Sequence, residues 1–311
     1  MREGIVVKST GSWYKVLVDE REIVDCKIKG KFRIDNLKST NPIAVGDIVH
    51  FEQEKDGTGM ISTIVERKNY IIRKASNLSK QSHIIAANID RAYLIATINY
   101  PETLSLFIDR FLVSAEAYNI PVTIIFNKID LYNDHDMQKY NEWKDIYENI
   151  GYSTIATSAK TGENIETLKN LMCNKINLLA GNSGVGKTSL VNTIDNALNL
   201  KTLEVSKHNK KGQHTTTFAE MFKLSSGGYI IDTPGLKAFG LLDMEKWEIS
   251  HYFPEMFERL KDCQFHNCKH VHEPGCNVIK AVEAGQISIM RYNNYLSLME
   301  TDDDNKYRAA F

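Results

Sequence analysis

The stretch at residues 181–188 constrains the fold more than any other part of the chain. It reads Gly-Asn-Ser-Gly-Val-Gly-Lys-Thr, follows an apolar run at 176–180 and leads into a helical pattern at 187–198. A glycine-rich turn between strand and helix lets backbone N–H groups converge on a polyphosphate, and the helix dipole adds positive potential. The sequence therefore predicts a phosphate-binding loop made by Gly181, Asn182, Ser183, Gly184, Val185, Gly186, Lys187, Thr188 and Ser189.

Two side chains of this loop have predicted chemical roles. Lys187 reaches the β- and γ-phosphates and is expected to assist catalysis, and the Thr188 hydroxyl is expected to bind Mg²⁺. The flanking sequence fits an α/β sheet, with strands predicted at 91–97, 121–126, 152–157 and 175–180 and helices at 102–118, 136–149 and 164–172. Such alternation predicts a mostly parallel sheet with helices on both faces and ligands at the carboxyl ends of its strands.

Residues 1–70 contain short β-rich runs separated by turn residues, which is typical of a small barrel of the OB type. Lys27, Lys29, Lys31 and Arg33 alternate with apolar residues or glycine, so one strand face is expected to carry all four cations. That face is either simply solvated or follows the phosphates of RNA. Residues 71–87 are interpreted as a polar connection to the α/β domain.

A guanine-recognition motif follows the strand predicted at 121–126. The residues are Asn127, Lys128, Ile129 and Asp130, in the pattern N-K-x-D. A carboxylate at Asp130 can accept hydrogen bonds from N1–H and the 2-amino group of guanine, which adenine does not offer. Asn127 is expected to tie this loop to the phosphate loop, and the Lys128 stem to pack over the base.

Three further segments complete the predicted GTP site. Ser158, Ala159 and Lys160 match S-A-K, whose backbone amides approach guanine O6. Asp232 and Gly235 belong to D-x-x-G, in which the acid lies near Mg²⁺ and the glycine amide meets the γ-phosphate. Thr216 is chosen from the sequence His214-Thr215-Thr216-Thr217 as a Mg²⁺ ligand and catalytic residue, by alignment with related T-T motifs.

The order of these motifs predicts a circular permutation. In a Ras-like chain the phosphate loop comes first, whereas here N-K-x-D and S-A-K precede it. The residue after D-x-x-G is Leu236, which cannot orient water as a glutamine does. Either hydrolysis is intrinsically slow, or another group positions the water. His214 is the candidate for that catalytic role, with a surface histidine on a polar loop as the alternative.

The cysteines crowded near the C-terminus predict a metal centre. Cys263, Cys268 and Cys276 offer three thiolates, and His266, His270 or His272 offers an imidazole. Four nitrogen and sulfur ligands in a closed set suit one structural zinc ion. The predicted domains are therefore a barrel at 1–70, a GTPase domain at 71–238 and a mainly helical zinc-binding domain at 239–311, with a helix at 287–299.

Composition and charge limit the partners and the cellular location that can be expected for this protein. The formal net charge of -1 gives no global attraction to nucleic acid or membrane, so any RNA-binding surface must be local. No apolar run approaches the length of a membrane span, and the start has no apolar secretion segment. A cytoplasmic protein without membrane contact is expected.

Together these residues resemble the ribosome small subunit-dependent GTPase A family (RsgA). The resemblance rests on the barrel, on the motifs N-K-I-D, S-A-K, G-N-S-G-V-G-K-T, H-T-T-T and D-T-P-G in this order, and on C-x4-C-x-H-x5-C followed by R-Y-x-x-Y. It favours His270 as the fourth zinc ligand and His214 as the hydrolytic residue.

The resemblance implies GTP hydrolysis stimulated by the small (30S) ribosomal subunit and a role in late maturation of that subunit. It also implies Mg²⁺ with GTP, one structural zinc, rRNA contacts through barrel and zinc domain, release with GDP, and a cytoplasmic monomer. Two alternatives remain from the residues themselves. One is a nucleotide-gated RNA-binding protein whose hydrolysis is incidental, and the other is a GTPase that serves a protein partner without RNA.

Overall fold

The computed structural model describes residues 1–28, 42–74, 82–198, 219–232 and 244–300. Several predicted functional residues lie outside these ranges: Lys29, Lys31, Arg33, His214, Thr216, Gly235 and Leu236. In the described part of the chain, no helix has the length and apolar character that crossing a membrane requires.

The N-terminal strands close into a five-stranded barrel. They are β1 (Arg2–Ser9), β2 (Tyr14–Val18), β3 (Glu22–Ile28), β4 (Ile48–Gln53) and β5 (Gly59–Ile64). Strand β1 pairs with both β2 and β4, while β3 pairs in parallel with β5, which closes the ring. Alternate residues point inward and form the barrel core: Val6, Tyr14, Val16, Val18, Val24, Cys26, Val49, Phe51 and Ile61. The OB-type barrel predicted from the sequence is confirmed.

The interpretation of residues 71–87 as a polar connection is wrong. The structure has β6 (Tyr70–Lys74) and β7 (Ser82–Ala87), which pair antiparallel with each other. Ile71, Ile84 and Ala86 alternate on one buried side of this hairpin and join the main core. Apolar residues stand next to one another in both strands, as at Ile71 and Ile72 and at 84–87, and the segment between the strands is polar, so the sequence shows no period-two alternation.

The central domain is a sheet of parallel strands with one antiparallel edge strand. Its strands lie in the order β10-β9-β8-β11-β13-β12, and β12 is the antiparallel one. The strands are β8 (Arg91–Ala96), β9 (Val122–Asn127), β10 (Ser153–Thr157), β11 (Ile176–Gly181), β12 (Glu220–Lys223) and β13 (Tyr229–Asp232). The phosphate-loop strand β11 is the fourth of these along the chain and lies in the middle of the sheet, as a circular permutation requires.

Helices cover both faces of this sheet. Those of the domain are α1 (Ser105–Ala117), α2 (Asp134–Asn149), α3 (Ile165–Met172) and α4 (Lys187–Ile194). Apolar residues of α1 and α2 belong to one buried cluster, and those of α3 and α4 belong to a second cluster. Among the described residues, the β1–β12 ladder that joins the barrel to the edge of the sheet has one residue pair, Lys8 opposite Glu220, and Val7 of β1 packs in the main core beside it.

The C-terminal region is helical. It contains a 3-10 helix (Lys246–Tyr252), α5 (Pro254–Leu260), α6 (Asn277–Glu283) and α7 (Ile289–Glu300). Helix α7 packs against α1 of the central domain. The predicted domain boundaries at 70/71 and 238/239 stay predictions.

A buried ionic network fastens α7 to the central domain. Arg291 is 1% exposed and donates to Asp109 Oδ1 of α1 (2.6 Å) and to both carboxylate oxygens of Glu255 (2.8 and 3.1 Å). Asn294 Nδ2 and Tyr147 Oη donate to the remaining lone pairs of Asp109 at 2.6 and 2.9 Å. Because every partner is already withdrawn from water, removing one charge leaves the others buried and unpaired.

We therefore expect Arg291→Met to lower the free energy of unfolding by about 3–5 kcal/mol, measured by urea denaturation. Lys280→Met, on the exposed side of α6, is the control and should change stability by less than about 0.5 kcal/mol. The triple variant Arg291→Met, Asp109→Leu, Glu255→Met should recover part of the loss, since no charge is then left buried. A triple variant no more stable than the single one would contradict this account.

Candidate nucleotide site and metal centre

The predicted motifs meet at one edge of the central sheet. Strands β8, β9, β10, β11 and β13 run parallel, so their carboxyl ends lie side by side. In register, Thr157 lies opposite Asn127, Gly181 opposite Ile95, and Asp232 opposite Leu179. The base motif, the S-A-K motif, the phosphate loop and the first residue of D-x-x-G are therefore brought together, although they are far apart in the chain.

The phosphate loop curls tightly between β11 and α4. Gly186 precedes α4 with a φ of 94°, and a Cβ at this position would lie 2.5 Å from Asn127 Nδ2. Only glycine therefore fits both the backbone conformation and the space. The Lys187 ammonium donates to the carbonyls of Gly181 (2.7 Å) and Asn182 (2.6 Å), which places its positive charge within the curl of the loop. Thr188 and Ser189 lie in the first turn of α4.

Asn127 joins the base motif to the phosphate loop. Its side chain is 1% exposed, and Nδ2 donates to the Val185 carbonyl at 2.9 Å. The Thr157 hydroxyl donates to Asn127 Oδ1 at 3.1 Å. One amide thus links the ends of β9 and β10 to the loop after β11, which is the arrangement expected from the sequence.

Lys128 also contacts the phosphate loop. Its backbone is left-handed, with a φ of 66°. The ammonium donates to the carbonyls of Gly184 and Tyr100, each at 2.6 Å. Burial lowers the pKa of Lys128, and nearby Asp130 opposes that shift. The long stem therefore bridges two loops, and its packing over a base stays a prediction.

Asp130 is oriented by the S-A-K motif. The Ser158 hydroxyl donates to Asp130 Oδ1 at 2.6 Å, and Ser158 Oγ in turn accepts from the Thr161 backbone N–H at 3.0 Å. Ala159 is held to α4 because the Thr193 hydroxyl donates to its carbonyl at 3.2 Å, while Lys160 is exposed. The Asp130 side chain is otherwise exposed, so its carboxylate can be reached from solvent.

Residues 97–103 also belong to the site, although the sequence analysis did not predict them there. The Tyr100 carbonyl accepts from Lys128, and Pro101 lies 3.4 Å from the point where a Gly184 Cβ would be. Tyr132 Oη donates to the Asn127 carbonyl (3.1 Å) and accepts from the Ile98 N–H (3.0 Å), which fixes the start of this loop. No residue pattern marks the segment, because its contacts are made mainly by backbone atoms.

The C-terminal cysteines form a compact ligand set. The Sγ atoms of Cys263, Cys268 and Cys276 and one ring nitrogen of His270 all lie within 4.8 Å of one another. His270 Nδ1 lies 3.3 Å from Cys276 Sγ and 3.7 Å from Cys263 Sγ. His266 and His272 are exposed and do not belong to the set. The spacing fits a tetrahedral site with metal–sulfur bonds of about 2.3 Å.

The surroundings of the cluster favour thiolates and hold the ligand loop. Backbone N–H groups of Asn277 and Ile279 donate to Cys263 Sγ (3.3 Å) and Cys276 Sγ (3.4 Å). The hydroxyls of Tyr292 and Tyr295 on α7 donate to the carbonyls of His270 (2.7 Å) and Lys269 (2.5 Å). The R-Y-x-x-Y helix therefore contributes both the tyrosines that hold the ligand loop and the buried Arg291.

Burial acts on the protonation of these ligands. It raises the pKa of Cys268 to about 12, raises that of Cys276, and lowers that of His270. Burial alone would raise the pKa of Glu273. Backbone N–H groups of Lys269, Val271 and His272 donate to its carboxylate and lower this pKa to about 2. A divalent cation would displace the thiol protons and make the buried thiolates favourable.

Two family models match the chain. The model described as the RsgA N-terminal domain matches residues 3–61, and the RsgA GTPase model matches residues 64–242. A protein of Bacteroides fragilis named "Small ribosomal subunit biogenesis GTPase RsgA" is 52% identical over 99% of this chain and 100% of its own length. A protein of the same name from Christiangramia forsetii is 51% identical over 99% and 98%.

Solved structures agree with these matches. YjeQ from Thermotoga maritima has a TM-score of 0.77 and 38% identity, covering 96% of this chain and 97% of its own. YloQ, described as a circularly permuted GTPase, has a TM-score of 0.75 and 29% identity, covering 96% and 94%.

We expect the purified protein to contain about one zinc ion per chain. Cys276→Ser should remove it and lower the melting temperature, because the ion crosslinks a loop region that buries little apolar surface. Metal content by mass spectrometry and thermal denaturation measure the two effects.

Cys173→Ser is the matched control, since this cysteine lies on the other side of the molecule's central sheet from α1 and contacts the Ser226 carbonyl rather than the cluster. It should retain both the zinc and the melting temperature. Equal zinc content in the two variants would show that the cluster is not the metal site.

Proposed function

The chain belongs to the RsgA GTPase family, and on this premise we propose that it hydrolyses GTP to GDP and phosphate as an assembly factor of the small ribosomal subunit. The relatives carry a name that states this role, and the chain matches them over nearly its whole length. We further propose that it acts as a monomer in the cytoplasm, binds rRNA and is stimulated by the subunit.

One observation carries the choice of nucleotide. Asp130 is held by Ser158 in a loop that Asn127 ties to the phosphate loop, so a base and its phosphates can be bound at once. A fixed carboxylate satisfies the two adjacent donors of guanine and is left unsatisfied by adenine. The exposed Lys160 and the Ala159 backbone complete the proposed base pocket.

The chemistry of the phosphate end follows from the same residues. Lys187 would neutralise charge on the β- and γ-phosphates, while Thr188, Asp232 and Thr216 would hold Mg²⁺. Mg²⁺ supplies electrostatic stabilisation of the charge that develops on the transferred phosphoryl group. The Gly235 amide would bind the γ-phosphate. Loss of this phosphate on hydrolysis would release the D-x-x-G segment from the nucleotide.

Water positioning needs a residue other than the one that follows D-x-x-G. That residue is Leu236, whose side chain has no polar atom. We propose that His214, next to the threonines that include Thr216, orients the attacking water in the complex with the subunit. Zinc is proposed to be structural, because its three thiolates and one imidazole leave no open position for a substrate.

GTP turnover with and without purified small subunits tests this function, with large subunits as the control. We expect small subunits to raise kcat and large subunits to leave it unchanged. Equal rates under all three conditions would reject the assembly role and favour an RNA-binding protein whose hydrolysis is incidental.

His214→Ala should lower the stimulated kcat by about 10²-fold or more while nucleotide affinity stays the same, since water positioning is lost and phosphate contacts are not. His208→Ala replaces another histidine of the same polar stretch and should leave kcat unchanged. If both variants retain stimulated turnover, His214 does not take part in hydrolysis.

Asp130→Asn should shift preference from GTP to XTP by about 10²-fold, because the new amide repels guanine donors and matches the 2-oxo group of xanthine. Affinities for fluorescent analogues of both nucleotides give the ratio. Asp134→Asn, at the exposed start of α2, should retain the preference for GTP. An unchanged ratio in Asp130→Asn would mean that another residue reads the base.

A further inference from the structure

The most exposed aromatic residue in the described part of the chain lies beside the nucleotide site. Tyr100 is 60% exposed and follows strand β8 in the segment 97–103. A single exposed aromatic residue is common on protein surfaces and needs no explanation by itself. The backbone of Tyr100 and the contacts of its segment therefore decide whether its position has a purpose.

Tyr100 has a backbone conformation that a tyrosine rarely adopts. Its φ is 59°, in the left-handed region. The other described non-glycine residues with positive φ are asparagine, aspartate or histidine, except for Glu20 and Lys128. Lys128 and Tyr100 contact each other, since the Lys128 ammonium donates to the Tyr100 carbonyl at 2.6 Å. A left-handed conformation is unfavourable for a bulky L-residue, and such residues cluster at ligand-binding and active sites.

Hydrogen bonds on both sides of Tyr100 maintain this conformation. The Tyr100 N–H donates to Asn99 Oδ1 at 3.0 Å. The Thr97 N–H donates to the Thr103 hydroxyl at 3.0 Å, and the Thr103 N–H donates to the Thr97 carbonyl at 2.9 Å. Thr97 and Thr103 are both fully buried, so the two ends of the segment are fixed to each other away from water. A ring carried by a fixed backbone loses little conformational entropy when a ligand packs against it.

The same contacts place Tyr100 next to the position proposed for the nucleoside. Lys128 Nζ bridges the carbonyls of Tyr100 and Gly184, each at 2.6 Å. Pro101 lies 3.4 Å from the point where a Gly184 Cβ would be, so the segment borders the phosphate loop on the side of the base motif. A nucleotide that reaches from Asp130 to the phosphate loop passes beside Lys128. Its nucleoside is therefore within the length of one side chain of the Tyr100 backbone.

We propose that Tyr100 is a nucleotide-binding residue whose ring packs against the nucleoside, on the ribose and the adjoining part of the guanine base. This inference rests on the proposed function, because it takes the bound ligand to be a guanine nucleotide. An aromatic ring suits this role, since it offers a large apolar face and has few rotatable bonds to restrict. Packing against the nucleoside also covers the ring that is exposed in the free protein. The segment 97–103 then contributes a side chain to the site as well as backbone carbonyls.

The test is isothermal titration calorimetry of the full-length protein with unlabelled GDP, because a fluorescent group on the ribose would disturb the contact itself. Tyr100→Ala should raise the Kd for GDP about ten-fold, since the contact between ring and nucleoside is lost. Tyr100→Phe retains the ring and should stay within about two-fold of the unaltered protein. The affinity for inorganic pyrophosphate should be the same in all three proteins, because the phosphate loop and Lys187 are unchanged.

Tyr100→Gly separates nucleotide binding from stability. Glycine adopts a positive φ without a steric penalty, so the nucleotide-free variant should melt at the same temperature as the unaltered protein or at a higher one. Its affinity for GDP should nevertheless fall as far as that of Tyr100→Ala. A residue with a merely structural role would give the opposite result, with a lower melting temperature and an unchanged Kd.

Phe257→Ala is the matched control, because Phe257 is 56% exposed and lies on α5 in the C-terminal helical region. It should bind GDP as tightly as the unaltered protein. The proposal is overturned if Tyr100→Ala binds GDP normally, if Phe257→Ala is impaired to the same extent, or if Tyr100→Ala loses affinity for pyrophosphate as well. An unaltered protein that fails to bind GDP would reject the proposed function and this proposal with it, whereas normal binding by both the unaltered protein and Tyr100→Ala would reject this proposal alone.

Discussion

The nucleotide site depends on the buried amide of Asn127. It accepts from Thr157 at the end of β10 and donates to the Val185 carbonyl in the loop after β11, so three strand ends are held in one arrangement. The same amide explains why residue 186 must be glycine, since a Cβ would lie 2.5 Å from Nδ2. The loop that begins at Asn127 and the loop at 181–188 are therefore a single unit, and neither can move without breaking a buried hydrogen bond.

The permuted chain needs a stable join between α3 and β11, and one side chain provides it. Asn177 is fully buried, and its Nδ2 lies within hydrogen-bond distance of the carbonyls of Met172, Lys175 and Tyr229. The turn before β13 packs closely here, because a Cβ on Gly228 would lie 2.7 Å from the Lys175 nitrogen. The new connection is thus built into the sheet, which keeps the phosphate-loop strand in the position that nucleotide binding requires.

In the sheet, β12 and β13 lie between the strand that precedes the 181–188 loop, β11, and the barrel strand β1. Glu220 pairs with Asp232 on one side and with Lys8 of the barrel on the other. In the C-terminal helical region, Arg291 joins α7 to α1 through Asp109. Apolar packing accompanies these charged contacts at both junctions, since Val7 of the barrel shares a buried cluster with Met221 and Ile231, and Val113 of α1 shares one with Tyr295 of α7.

The sequence by itself determined the motifs whose chemistry is local. The glycines of the phosphate loop, the N-K-x-D residues and the cysteine spacing each reflect a short-range backbone or ligand requirement, and their order revealed the permutation. The cysteine spacing left His266, His270 and His272 open as the fourth ligand, and the family resemblance favoured His270; the tertiary structure buries His270 against the cysteines and leaves the other two exposed. The tertiary structure also decided the β6–β7 hairpin, the loop at residues 97–103 that includes Tyr100, and the pair of Arg291 and Asp109, which lie 182 residues apart in the chain. Such contacts leave no periodic signal, because they arise from backbone carbonyls and from side chains that meet only after the domains have packed.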